Sequence, residues 1–284
     1  MVSEPRLPTV DVLVVGALTI DHFTDGSSAP GGSVLHATRV AAATGLSVAV
    51  VTQAASEPEA RAGLSELAQL GVVHAERVWS SLAFTHAETN GVRRLTLDAP
   101  AAPFSCPARP LFPRVVLYGP VAAEYGAGLG GQVYDGAFRA AILQGWLRSL
   151  DPGAAIRALP LSSLGSVLVE RLASFDLLVA SEEDLSAVAA GAGEQLSAVR
   201  AVFGPHPILA VTGGARGAWL EEGDGTRVHL TPARVISGIP MTGAGDGFAA
   251  VMAASLSSGL DLEEAGARAT AAAVSYLERR LEVS

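Results

Sequence analysis

Short, continuous apolar runs punctuate this chain, and segments of helical spacing separate them. Asp11–Leu18, Val48–Thr52, Val115–Leu117, Ala140–Leu143, Leu177–Ala180 and Ile208–Thr212 read as strands buried on both faces. Between them, Ser33–Ala43, Glu57–Leu70, Ser166–Leu172, Glu183–Ala190 and Gln195–Phe203 read as helices. Ser33 is placed to cap the first after a Pro30-Gly31-Gly32 turn, and Gly71 to end the second. Two more helices are expected over Ala244–Ser258 and Leu262–Tyr276. The alternation predicts an α/β fold, a mostly parallel central sheet with helices on both faces. Two stretches depart from it. Thr85–Thr89 and Val92–Leu97 alternate polar with apolar residues around Asn90-Gly91, the signal of a type I′ hairpin with one solvated face. Gly217–Glu221 and Arg227–Leu230 flank Gly223-Asp224-Gly225 and read as a second hairpin. With no internal repeat and no low-complexity linker, residues 1–284 are expected to form one α/β domain. A small β lid would come from segments near 19–32 and 82–98.

Composition narrows the chemistry. Apolar residues are 49% of the 284, enough for a sizeable core, and the net charge is −9. That charge argues against nucleic acid or an anionic membrane as a partner. All 19 basic residues are Arg; the absence of Lys excludes a Walker-type phosphate lysine and a lysine Schiff base. Cys106 is alone, Met1–Pro8 lacks the pattern of a signal peptide, and no apolar run has the length of a membrane span. A cytoplasmic location is the expectation.

Thr242-Gly243-Ala244-Gly245-Asp246-Gly247-Phe248, opening an apolar helical run, carries the most chemical information. Glycines at a helix start let backbone N–H groups approach an anion, and the helix dipole adds to the attraction. An Asp in that first turn is favoured in its ionised form by the same dipole. Amides that hold phosphate charge, beside a carboxylate that takes a proton, suit phosphoryl transfer to a hydroxyl. The same seven residues read equally as an ordinary helix start with a solvated Asp.

The order in which further motifs accompany this one is what distinguishes the chain. Val15-Gly16-Ala17-Leu18-Thr19-Ile20-Asp21 leads to Pro30-Gly31-Gly32-Ser33-Val34-Leu35-His36, and Val211-Thr212-Gly213-Gly214-Ala215-Arg216-Gly217 precedes the heptapeptide. Over nearly its whole length the chain resembles the ribokinase-like (PfkB) family of carbohydrate kinases. The Gly-Gly-Ser segment and the Gln144-Gly145-Trp146-Leu147-Arg148 run are more similar to its inositol-kinase-like branch. The resemblance implies an ATP-dependent phosphotransferase acting on an alcohol group, with Mg2+ bridging the ATP phosphates. It makes Asp246 the general base, and Gly243, Ala244 and Gly245 the rest of the anion hole. Asp21, Gly31, Gly32, His36, Glu124 and Arg148 would face the acceptor, Thr212, Gly214, Gly217 and Thr242 the nucleotide, and Asp184 the metal.

Physical readings stand beside these roles. Asp21, expected at a strand's carboxyl end, has the placement open α/β sheets use for ligands, and a turn Asp is the alternative. His36 stands where the family usually has Asn; it could donate to an acceptor hydroxyl or serve the structure. Gly214 and Gly217 would let a nucleotide lie on backbone, or simply shape a hairpin. The chain also departs from the family pattern. Pro240 occupies a position that commonly holds an acid, and the family's Asn-x-x-Glu appears as Ser181-Glu182-Glu183-Asp184. A sugar or a polyol such as an inositol is the expected acceptor. The alternatives are a nucleoside or hydroxymethyl-pyrimidine kinase, for which aromatics at 5% are sparse, and a catalytically degenerate ligand-binding homologue. An exposed lid face could be covered by a second subunit in a homodimer.

Overall fold

A computed structural model describes residues 9–89, 92–100, 102, 104, 111–125, 134 and 136–283. Met1–Pro8, the Asn90-Gly91 turn and Cys106 lie outside the described residues. In chain order the elements are β1 Thr9–Val15, β2 Thr19–Phe23, β3 Ser28–Gly31, α1 Ser33–Ala43, β4 Val48–Ala54, α2 Pro58–Leu70 and β5 Val72–Arg77. There follow β6 Leu82–Thr89, β7 Val92–Ala99, β8 Phe112–Tyr118, β9 Phe138–Ile142, α3 Ser166–Leu172 and β10 Leu177–Ser181. The chain continues through α4 Ala192–Phe203, β11 Ile208–Thr212, β12 Ala218–Glu221, β13 Arg227–Leu230, α5 Ala244–Ser257 and α6 Leu262–Val283.

Nine strands form one sheet in the order β13-β12-β11-β10-β9-β8-β1-β4-β5. The strands from β5 to β11 pair in parallel, and β12 and β13 add an antiparallel edge. Burial on both faces explains the unbroken apolar runs. In β1, Val12 and Val14 join a core shared with α1, α2, α5 and α6, whereas Leu13 and Val15 join a core shared with α3 and α4. Helices therefore cover both faces, as the alternation predicts. Helix α5 is buried nearly all round and runs behind the middle of the sheet, touching β1, β8, β9 and β10. Its small residues allow this, since a Cβ on Gly247 would collide with Val40 of α1.

A second, four-stranded sheet has the order β3-β2-β6-β7. Strands β2 and β6 pair in parallel, and the outer pairs are antiparallel. One face packs through Leu82, Phe84 and Leu97 on Ala17, Val121 and Ala122. The segment after Asp151 stitches to its edge, with Ile156 N donating to Leu95 O at 2.7 Å.

Several local expectations are corrected. Asp21 lies within β2 of the small sheet, beyond the end of β1, rather than at the carboxyl end of a central strand. Pro30 and Gly31 close β3 instead of forming a turn. Gly32 is the cap residue of α1, with φ 93°, and Ser33 is the first helical residue and makes no side-chain cap bond. Gly71 ends α2 as expected; its backbone is extended, and it is a glycine because a Cβ would run into the Val48 backbone. Residues 182–188 form a succession of turns in place of the expected helix. There Asp184 Oδ2 accepts from Ser181 N (3.0 Å) and Ser181 Oγ (2.6 Å), while Asp184 N donates to Ser181 Oγ (3.0 Å). β5 is an additional edge strand, and α6 runs past Tyr276 to Val283.

Candidate active site

The central strands end at one rim, and there the chain encloses a cavity of about 710 Å3. The loops after β9, β10 and β11 line one side, β2, β6 and β7 roof it, and the first turn of α5 forms its inner end. This is where open α/β sheets place ligands.

Gly243 caps α5 in the left-handed region, φ 88° and ψ −12°. A Cβ there would also stand 2.6 Å from His36 Nδ1, so both conformation and packing demand glycine. Gly245 differs. A Cβ on it would meet only Thr212 Oγ1, at 3.8 Å, so the space above it belongs to the cavity. Ala244 N donates back to Met241 O and Gly247 N to Gly243 O. The amides of Gly245 and Asp246 belong to the donors that a helix start leaves without intrahelical acceptors.

Asp246 is half-buried in that turn and lines the cavity. Burial pushes its carboxyl pKa above the usual value, and the Asp184 carboxylate adds to the rise. The nearby Ser33 hydroxyl and the Arg148 guanidinium pull in the other direction. Ser33 Oγ lies alongside without completing a hydrogen bond. Desolvation is the largest of these influences.

The roof holds Asp21. Its Oδ1 accepts from Thr19 Oγ1 at 3.2 Å and faces His86 Nε2 at 3.4 Å. Gly31 lies across the β2–β3 pair and does not line the cavity; a Cβ there would stand 2.8 Å from Asp21 Cγ and displace the carboxylate. Gly32, Arg148, Thr212, Gly214, Gly217, Thr242 and Asp184 all reach the cavity wall. Gly214 borders open space, where a Cβ would meet only Met241 Cε, at 3.8 Å. Gly217, by contrast, has φ 90° and sits against the Leu230 backbone. Its glycine serves the β12–β13 hairpin.

Two residues have other occupations. Glu124 is fully enclosed away from the cavity, accepting from the amides of Ala17 (3.1 Å), Val121 (3.0 Å) and Ala122 (2.8 Å). Burial raises its pKa against the pull of those bonds, and the carboxylate shapes the loop after β8. His36 borders the cavity, but its Nδ1 is bonded to Tyr276 OH at 2.9 Å and its Nε2 is closed off from solvent without a partner. Its pKa is lowered to about 4, chiefly by burial and then by Arg39, so the ring is neutral at pH 7. Sequence reasoning passes over Ser33, Thr19, His86 and Arg280. The polar alternation of β6 signals His86; nothing in the pattern marks Arg280.

Comparison with known proteins now decides the family. The family model described as pfkB family carbohydrate kinase matches residues 126–281, more than half of the chain. The chain belongs to the pfkB family of carbohydrate kinases. Among proteins of curated function the sequence finds no match. Solved structures share the pfkB chain's fold at low identity. A pyrophosphate-dependent kinase in the ribokinase family, complexed with a pyrophosphate analog and myo-inositol, has TM-score 0.76 and 18% identity, covering 96% of this chain and 100% of that one. Arabidopsis thaliana ribokinase complexed with ribose and ATP has TM-score 0.70 and 16% identity, covering 93% and 91%. The Methanocaldococcus jannaschii nucleoside kinase has TM-score 0.67 and 12% identity, covering 96% and 99%. Membership in the pfkB family implies phosphotransferase activity. Among the described residues, no helix of this family member is long and apolar enough to cross a membrane.

Proposed function

We propose that this chain transfers the terminal phosphoryl group of ATP to a hydroxyl of a sugar or an inositol-like polyol. The observation that carries the reading is Asp246, a carboxylate with a raised pKa in the same helical turn as the open Gly245 amide cradle. Asp246 takes the acceptor's hydroxyl proton as the oxygen attacks the γ-phosphorus. The bond to the β,γ-bridging oxygen breaks, and its electron pair leaves with ADP. The amides of α5 hold charge on the transferring group throughout. Asp21, held by Thr19 and His86, accepts from acceptor hydroxyls. The small sheet acts as the lid that keeps water from the γ-phosphate.

ATP suits the far end of the cavity. Its wall there includes Val235, Ile236, Ala273, Val274 and Leu277 beside Arg234 and Thr270, a largely apolar surface that would take a flat base. A polyol suits the acceptor end, where Thr19, Asp21, His86, Arg94 and Gln144 outnumber the aromatic Phe84. Among the described residues there is no cluster of three metal-ligating side chains. Magnesium asks for less than that, because it keeps waters and relies on phosphate oxygens. Asp184, at the cavity wall, would hold it, and when bound it would offset phosphate charge.

A matrix of donors and acceptors tests the reading. MgATP and pyrophosphate, the donor named for one structural neighbour, are each combined with sugars, inositols and nucleosides, and phosphorus NMR follows the acceptor's new phosphoester. Ligand binding without transfer to any acceptor would mean a degenerate binding protein. The base assignment also sets a pH profile. Asp246 must be ionised to act, so kcat/KM should fall as pH drops through its raised pKa. The acid limb should therefore lie above pH 3.8, the ordinary Asp value, and should vanish in Asp246→Asn. An acid limb that survives the substitution assigns the base elsewhere.

A further inference from the structure

Immediately before the cradle, the backbone from Pro240 to Thr242 is neither helix nor strand, yet it determines where the cap residue Gly243 points. Arg280, near the end of α6, donates from Nη1 to Pro240 O at 3.1 Å and to Thr242 O at 2.8 Å. The same guanidinium lies over the Tyr276 ring, 5.6 Å from its centroid. Tyr276 OH bonds His36 Nδ1 at 2.9 Å, and the His36 ring fills the space directly under Gly243. Arg39 of α1 also reaches Tyr276 while it grips Glu66 of α2 with two bonds of 2.6 and 2.7 Å. The loop is thus held from above by a cation on its carbonyls and from below by a neutral imidazole.

We infer that Arg280, braced by Tyr276 and His36, is a positioning residue that preorganises the phosphoryl-binding amides of α5. The inference rests on the phosphotransfer reading. Two physical arguments support it. Carbonyls 240 and 242 lie just before a helix start, and satisfying both with one planar cation fixes their peptide planes relative to the cap. The charge also adds positive potential beside amides that receive an anion. With Pro240 where the family commonly has an acid, no side chain anchors the loop at that position. Arg280 anchors it through the backbone. The bracing also accounts for His36: its Nδ1 is bonded to Tyr276 and its ring packs under Gly243, so the residue supports the cradle.

Arg280→Ala, Arg280→Gln and Arg280→Lys are compared with Arg279→Ala, an exposed neighbour outside the network. Amide hydrogen exchange of the ligand-free protein is the first readout. In Arg280→Ala, exchange should accelerate at least about tenfold at the bonded amides of Ala244 and Gly247 while β8–β11 stay protected. Unchanged exchange there, or acceleration spread evenly over the molecule, overturns the inference. The second readout is kinetic. With the acceptor found above, kcat should fall about 10- to 100-fold with acceptor KM within about threefold, and added guanidinium ion should recover part of the loss. Arg280→Lys should retain more activity than Arg280→Gln, and Arg279→Ala should match the parent. A fall in kcat that follows thermal stability alone and ignores guanidinium also overturns it. If the parent protein transfers phosphate to nothing, the proposed function fails, while the exchange experiment still decides whether Arg280 orders the loop.

Discussion

Replacing Asp246 by Asn should lower kcat about 10²- to 10⁴-fold while the Kd for MgATP stays within a few-fold of the parent value. The amide is nearly isosteric and leaves the backbone N–H groups of α5 in place, so donor binding has no reason to change. What disappears, on the proposed reading, is the proton acceptor. Stability should move the other way. The folded-state pKa of Asp246 is raised, so between the unfolded value and the folded value the native protein keeps a proton that the unfolded chain has lost. Native stability therefore falls as pH rises through that window, and above it the fold carries an ionised, desolvated carboxylate. Asn removes that burden. The Tm of the variant should exceed the parent's at neutral pH, and the difference should shrink as pH is lowered through the window. Calorimetry across pH, beside single-turnover kinetics, checks both halves. A variant that keeps its rate removes Asp246 from the chemistry, and one less stable at neutral pH contradicts its desolvation.

The second large effect is expected at Gly245. In Gly245→Ala the new methyl would meet nothing nearer than Thr212 Oγ1, at 3.8 Å, and alanine is the better helix former. The variant should unfold at the same temperature as the parent or a few degrees higher. The methyl nevertheless occupies the space above the unpaired amides, where phosphate oxygens would have to come. MgATP affinity or kcat should drop by about 10²-fold or more, in proportion to the loss of one anion-hole donor. Gly243→Ala is the contrast, because its methyl would enter the His36 ring at a left-handed cap and the fold itself should suffer. Normal phosphoryl transfer by Gly245→Ala would mean that the anion sits elsewhere in the cavity.

The layered architecture is legible in the chain because strands such as β1 are buried on both faces and so lack polar interruptions. For that reason β11 has the bounds that its apolar run predicts. The α5 cradle is legible because its chemistry is contiguous: cap, small residues and acid occupy one turn. The roof is harder. Asp21 depends on β2, whose residues Thr19–Phe23 carry no strong strand pattern and become a strand through pairing with β3 and β6. Residues 183–190 have helical spacing, yet residues 182–188 run as successive turns, although Ser181 and Asp184 are bonded as at a helix start. Glu124 and Arg280 show the same limit. A carboxylate claimed by three backbone amides and a guanidinium claimed by two carbonyls look, in sequence, like any surface charge.

The parallel pairing of β2 with β6 has a consequence in time. β2 meets β3 through a short connection, yet it joins Thr19 to Leu82 and Asp21 to Phe84 only after the chain has passed through α1, β4, α2 and β5. Closing so long a loop costs entropy that nearby contacts do not recover, so the roof should form after β1 and β4 have paired. Pulse-labelling during refolding should find β1 amides protected before those of β2. On that schedule the Asp21 carboxylate takes its place after the β1–β4 pair, and a nascent chain would carry this roof before the opposite end of the cavity, whose β11, α5 and α6 lie far later in the sequence.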